Sequence, residues 1–365
     1  MKILLVRLRS IGDVIFTTPL IRALRREFPD AHLTYVVEPT AASVVDGNPR
    51  LDDIVVVPVR RGLGRLVDDV RLAWQLRRER FDVAIDLHGG PRSAWLTWTS
   101  GAPMRIGYTI TGRRWMYTHA VPRAADLTPR HSVRNQWDLL QPLGIGACDP
   151  GRDAVEMTED GTAAARVDER LRAAGIGPAN AIVVVHVSAG NPFRTWPAES
   201  FETLAIRLVQ RDPTRRVVLT SGPSDWPAAL GIAESARRQL KELASAMPDV
   251  GEFDLPELRA LVARAAVYIG GDSRPVHVAA TTKTPIVLLL GPTLPERSHP
   301  WRDARWFSET VDAGPLPCRP CRQRVCEPGD FRCLRGITPD RVMAAAERAL
   351  ARGSSEGRQM KEAHA

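Results

Sequence analysis

The sequence has no apolar run approaching the ~20 residues that a membrane-spanning helix requires. Its first apolar run, ILLV at 3–6, is cut short by Arg7 and Arg9, and no small-residue cleavage site follows. That run reads as a buried first strand rather than a secretory leader, and the expected location is cytoplasmic. Cysteine is scarce: five residues in 365 are too few for a secreted disulfide scaffold. There is no lysine-rich tail and no zinc-finger or RNA-recognition signature, so no nucleic-acid partner is expected despite a net charge of +8. The excess charge favours anionic partners such as nucleotides, phosphorylated lipids and membrane headgroups.

What is present is a regular alternation. Residues 3–6, 33–37 and 54–57 read as strands, and FDVAIDLHGG (81–90) as a strand with a glycine turn. Val14 to Phe28 reads as one helix closed by Pro29, and Leu63 to Arg80 as a long arginine-bearing helix. The pattern weakens through CDPGRDAVEMTEDG (148–161), then resumes with AIVVVHVSAG, RRVVLTSGPSD, VYIGGDS and PIVLLLGPT. Strands alternating with helices predict an α/β chain with two doubly wound, parallel-sheet, Rossmann-like domains. The expected limits are 1–160 and 161–337, followed by a closing helix over 338–352 and a disordered tail over 353–365.

In such sheets, ligands bind beyond the carboxyl ends of the strands. The loops there contain Asp13, His88, Ser188 to Arg194, Gly222 to Asp225, Asp272 to His277 and Gly291 to Thr293. In GGDSRPVHVAA (270–280), Asp272 and Ser273 stand at a helix start suited to capping or to an anion, with His277 about one turn inside. A plain capped helix with a packed histidine is the alternative. In HVSAGNPFRTWPAESF (186–201), Arg194 precedes a helix that Pro197 opens, and its guanidinium matches a phosphate. Trp196 either stacks on a ligand or packs in the core.

Four stretches together carry a resemblance: IGDVIFTTP, DLHGGPRSAWL with RIGY after it, HVSAGNPFRTWP, and GGDSRPVHVAA followed by TPIVLLLGPT. Their order and spacing resemble glycosyltransferase family 9, whose best-known members are the ADP-heptose:lipopolysaccharide heptosyltransferases. The resemblance spans most of Met1 to Arg352. It implies a GT-B fold, with the acceptor in the N-terminal domain and the nucleotide sugar mainly in the C-terminal one. It implies an inverting, metal-independent transfer of a sugar, heptose from ADP-heptose above all, to a lipid-linked envelope saccharide. It makes Asp13 the general base and maps Arg194, Gly271, Asp272, Ser273 and His277 onto the donor site, with Ser188 and Gly222 beside them. Gly12, His88 and Arg92 fall on the acceptor side. His88 either touches acceptor or makes a local turn hydrogen bond.

The chemistry of the residues agrees. An acceptor hydroxyl needs a base to take its proton during attack, and Asp13 supplies a carboxylate. Its bland alternative is an N-cap of the first helix. Fixed donors stabilise a departing diphosphate. No D-x-D triplet occurs, so no cofactor is expected for the chemistry. One departure stands out: Arg274 occupies the place of the family's glycine and puts the donor's identity in question.

Other features leave choices open. Cys318, Cys321, Cys326 and Cys333 form a structural clip, either as thiols or as a zinc site. Glu252 and Asp254 read as surface acids, one of them a candidate for the nucleotide's sugar. The helix RLVDDVRLAWQLRRER (65–80) mixes apolar residues with arginines. Peripheral contact with the inner face of the plasma membrane is one reading. A solvated face of a core-packed helix, favoured by Asp68 and Asp69, is the other. A non-catalytic nucleotide-sugar-binding protein and a GT-B nucleotide-sugar epimerase are the competing functions.

Overall fold

A computed structural model describes residues 1–60, 62–123, 130–321 and 323–362 of the chain. Two compact units, Met1–Thr158 and Glu159–Ala365, divide two residues before the expected position.

The first unit holds strands β1 (Lys2–Val6), β2 (His32–Val37), β3 (Asp53–Val56), β4 (Val83–Asp86), β5 (Met104–Tyr108) and β6 (His119–Val121). They form one sheet in the order β3-β2-β1-β4-β5-β6, and every neighbouring pair is parallel. Ile3, Leu4, Leu5 and Val6 are fully buried, as expected for a central strand covered on both faces. The order reverses between β1 and β4, so the loops after these two strands flank a crevice, the place where such sheets take ligands.

The single helix expected over 14–28 is two helices, Ile11–Ile15 and Thr18–Glu27. Pro19 has no N–H to continue the first helix's ladder onto the Ile15 carbonyl. The Thr18 hydroxyl donates to that carbonyl instead, at 2.8 Å. The break releases Asp13 from a long helix and leaves it in a five-residue turn after β1.

The second unit contains β7 (Ile182–His186), β8 (Arg216–Thr220), β9 (Val267–Gly271), β10 (Ile286–Leu290) and β11 (Ser308–Asp312). Their order is β11-β10-β9-β7-β8, again wholly parallel. The reversal here lies between β7 and β9. Helices Ala198–Arg211, Trp226–Leu240 and Pro339–Glu362 contribute to one apolar core with Val183, Val185, Ile269 and Leu289. Trp196 is part of that core: its indole donates to the Ile337 carbonyl at 2.9 Å and meets Phe201 edge-on. The closing helix runs to Glu362, so residues 353–362, expected as a disordered tail, continue it. Residues 363–365 lie outside the described residues.

Candidate functional site

In the first unit the switch-point crevice is built by Arg7. The side chain leaves the end of β1 almost fully buried. Its Nη1 donates to the Leu87 carbonyl, beyond β4, at 2.6 Å. Its Nη2 lies 2.7 Å from Asp13 Oδ2, which also accepts from the Ser10 hydroxyl at 3.0 Å. Arg7 thus ties the two loops of the crevice together and sets the orientation of the Asp13 carboxylate, 40% of whose side chain is exposed. Ser10, not Asp13, is the N-cap residue of the first helix, and Gly12 is buried within it. Gln136 donates weakly to the Asp13 carbonyl at 3.4 Å.

The turn after β4 is organised by Asp86, fully buried. It accepts from the N–H groups of His88 and Gly89 at 2.9 and 2.8 Å and from the Tyr117 hydroxyl at 2.6 Å. Burial raises its carboxyl above the ordinary range. Gly89 adopts φ +72°, the left-handed conformation that favours glycine. His88 is held well below its ordinary value, down to about 4, by burial and then by the charges of Arg7 and Arg9. Its buried Nδ1 has no hydrogen-bond partner among the described residues.

His88 and Arg92 border the same cavity of about 210 Å3, with Arg9, Arg60, Arg65 and Glu38 around it. The Arg92 guanidinium is already engaged: Nε and Nη2 donate to Asp69 Oδ1 at 2.9 and 2.5 Å, and Nη1 to Glu38 at 3.2 Å. Arg9 is exposed and makes no ion pair with another described residue.

In the second unit, the loops after β7 and β9 meet at the other switch point. Arg194 Nη1 reaches the Asp272 carbonyl at 3.2 Å and Asp272 Oδ2 at 3.3 Å, while Nε donates to Gln323 Oε1 at 2.5 Å. Asp272 is buried and also accepts from the Thr293 hydroxyl at 2.5 Å, so it positions Arg194 and the loop after β10. Gly271 permits this closeness: a Cβ there would stand 3.2 Å from the Arg194 carbonyl oxygen. Ser188 joins the loops after β7 and β8, accepting from the Gly222 N–H at 2.8 Å and lying 3.2 Å from His186 Nε2. His186 is buried, which lowers it to about 4, and Nδ1 lies 3.0 Å from the Thr220 hydroxyl.

Ser273 is the N-cap residue of helix Arg274–Ala279, yet its side chain makes no capping bond. Its buried hydroxyl has no hydrogen-bond partner among the described residues. The helix has only six residues, which limits any dipole contribution expected from it. His277 is buried on this helix, while Arg274 is exposed and makes no ion pair with another described residue.

Asp254 caps the helix Leu255–Arg264, accepting from the Glu257 N–H at 2.8 Å, and Glu252 is exposed. The four clustered cysteines carry free thiols and line one cavity of about 450 Å3 together with Phe193, Pro292 and Phe331. No group of three His, Cys, Asp or Glu side chains among the described residues is arranged to hold a metal ion, so the zinc alternative for these cysteines has no preformed site.

Three residues of these crevices, Arg7, Asp86 and Gln323, carry no site role in the sequence reading, whereas Thr293 closes the loop Gly291 to Thr293 that it names. Asp86 stands within the DLHGG motif, so it had a signal. Gln323 had none, because it reaches Arg194 from 129 positions away.

The sequence profile of Glycosyltransferase family 9 (heptosyltransferase) matches residues 70–330. Lipopolysaccharide heptosyltransferase 3 of Escherichia coli strain K12 is 28% identical to the chain over 308 residues, covering 81% of this chain and 84% of that protein. Among solved structures, a family 9 glycosyl transferase from Veillonella parvula is similar at a TM-score of 0.83 and 24% identity, over 96% of this chain and 97% of that one. The heptosyltransferase WaaC of E. coli, solved with ADP, is similar at a TM-score of 0.68 and 18% identity, over 96% and 100%. The architecture is the GT-B fold of these neighbours. With well over half of its length matched, the chain belongs to glycosyltransferase family 9, the heptosyltransferase family, and is a glycosyltransferase.

Proposed function

We propose that the chain moves a heptose from ADP-heptose to a lipid-linked saccharide of the lipopolysaccharide core or a related envelope glycan, with inversion and without a metal ion. Support comes from the relatives: a lipopolysaccharide heptosyltransferase of E. coli, and WaaC solved with ADP and with ADP-2-deoxy-2-fluoro heptose. The observation that carries the reading is the complementary equipment of the two crevices. One holds an oriented carboxylate, Asp13, and the other an oriented guanidinium, Arg194, beside an unpartnered hydroxyl, Ser273.

The acceptor oxygen attacks the anomeric carbon of the donor sugar from the face opposite the diphosphate, and Asp13 takes the hydroxyl proton as the new bond forms. The bond from the anomeric carbon to the β-phosphate oxygen breaks, and ADP leaves with the electron pair. Arg194 and the Ser273 hydroxyl meet the charge that accumulates on the diphosphate. In this reading the guanidinium takes the part that a carboxylate-held cation plays elsewhere. The arginine-bordered cavity beside His88 suits an acidic saccharide, and the protein works at the cytoplasmic face of the membrane that carries it.

The test is Asp13→Asn. Turnover should fall by about 10²- to 10⁴-fold, the range for loss of a general base, with ADP affinity retained. Normal transfer by this variant would overturn the base assignment. A calorimetric series of ADP, UDP, GDP, CDP and dTDP, all with EDTA, should select ADP; preference for another nucleotide would discard the ADP-heptose donor.

A further inference from the structure

The helix Leu63–Arg78 presents an apolar face outward. Leu66, Val67, Val70 and Trp74 are 54–61% exposed, although their spacing would suit a buried stripe. The acids that promised a solvated face point the other way. Asp68 is mostly buried and pairs with Arg60, and Asp69 is buried against Arg92 and Arg65. What remains exposed on this helix besides the apolar stripe is basic or neutral: Arg65, Arg71, Gln75, Arg77 and Arg78. The helix Pro91–Thr99 continues the surface with Trp98, whose ring meets that of the exposed Trp115 at 5.3 Å. Between the helices runs an open groove of about 420 Å3 bordered by Val70, Trp74, Trp95, Trp98, Arg77 and Arg105. The Arg78 guanidinium stacks over Trp74 at 4.4 Å.

We propose that this face docks on an anionic lipid bilayer. The inference deepens the reading of a lipid-linked acceptor and rests on it for its purpose, though its test does not need the reaction. Charge argues for a bilayer over another protein. Residues 60–123 contain twelve arginines, no lysine and only five carboxylates. Of those carboxylates, Asp86 is buried, Asp68 and Asp69 are turned inward, Glu79 pairs with the Lys2 ammonium, and Asp82 accepts from the Lys2 backbone N–H. A surface that combines exposed tryptophans and aliphatics with arginines, on a helix whose own two carboxylates are turned inward, matches an interface of headgroup phosphates above acyl chains. The tryptophans sit at headgroup depth, the aliphatics reach the acyl boundary, and the arginine heads extend along the phosphates. The same charge would repel a second copy of this face.

The experiment is vesicle flotation of the full chain with neither nucleotide nor acceptor. Phosphatidylcholine vesicles should bind weakly; vesicles that also contain phosphatidylglycerol should bind strongly, and less so as salt rises. The double variant Leu66→Gln, Trp74→Ala should lose at least about tenfold in partitioning, because two apolar side chains leave the interface. Its melting temperature and its turnover on a delipidated, soluble acceptor should match the parent. Equal binding by parent and variant, or no binding by the parent, overturns the proposal. So does a parent that dimerises through this face, seen as a concentration-dependent dimer that the variant lacks. Loss of transferase activity with vesicle binding intact would instead count against the proposed reaction.

Discussion

Arg7 and Asp13 form an ion pair of 2.7 Å across the turn after β1, and the same guanidinium anchors to the Leu87 carbonyl at 2.6 Å. One side chain therefore fixes the carboxylate and joins both loops of the switch-point crevice. Arg7→Lys keeps the charge but has a single ammonium in place of the two-pronged donor. The expected result is a kcat lowered by about tenfold or more, consistent with loosening the proposed general base, with ADP affinity unchanged. A calorimetric ADP titration beside steady-state kinetics checks both parts.

Ser273 offers a cleaner probe of the proposed donor crevice. Its hydroxyl makes no hydrogen bond to any described residue, so Ser273→Ala removes no hydrogen bond from the free protein. The melting temperature should hold. ADP should bind about tenfold more weakly, the scale of one hydrogen bond to a charged group. Unchanged ADP affinity would remove Ser273 from the donor site.

Arg92 separates a structural role from an acceptor contact. Its side chain is 10% exposed, and its partners Asp69 and Glu38 are 12% and 14% exposed. Arg92→Ala leaves Glu38 without its cation and Asp69 with only the longer pair to Arg65 at 3.7 Å, and stability should fall by about 3 kcal/mol. Denaturant midpoints measure this. A stable variant with only a raised KM for acceptor would show that Arg92 serves the substrate instead.

His186 predicts a pH dependence. Unfolded, the imidazole takes a proton near its ordinary value of 6.5; folded and buried, it does so only near 4. Between those values the unfolded chain binds the extra proton, so stability falls as pH drops through the window and is unaffected above it. The loss is about 3 kcal/mol at most for one such group. His186→Asn should make the curve shallower over this range and leave the share of His88, also held down to about 4, at the expense of some stability at pH 7 from the bonds to Thr220 and Ser188. Thermal melts at stepped pH test the slope.

Much of the fold was legible because it is local. ILLV, IVVVH and IVLLL are short β-branched or leucine runs bounded by turn residues, and each became a central parallel strand. Alternation with helices then placed Asp13, Ser188 and Asp272 in loops after strands. The helix break at Thr18 and Pro19 was also written locally, in a proline without a donor, but helical periodicity across 14–28 concealed it.

The sequence by itself determined the strand and helix alternation, the family motifs and the residue types at the strand ends, because each depends on neighbours a few positions apart. Tertiary structure decided which atoms meet. Strand order brings Leu87 beside Arg7 from 80 positions away, and Gln323 onto Arg194 from 129 away. It also decided which way a mixed helix faces. Asp68 and Asp69 look like solvated acids in the sequence, yet they face inward, Asp68 paired with Arg60 and Asp69 with the buried Arg92, and Leu66, Val67 and Trp74 face out. Helical spacing reports the angle between side chains, while the direction of the core is set only when the helix packs on its sheet.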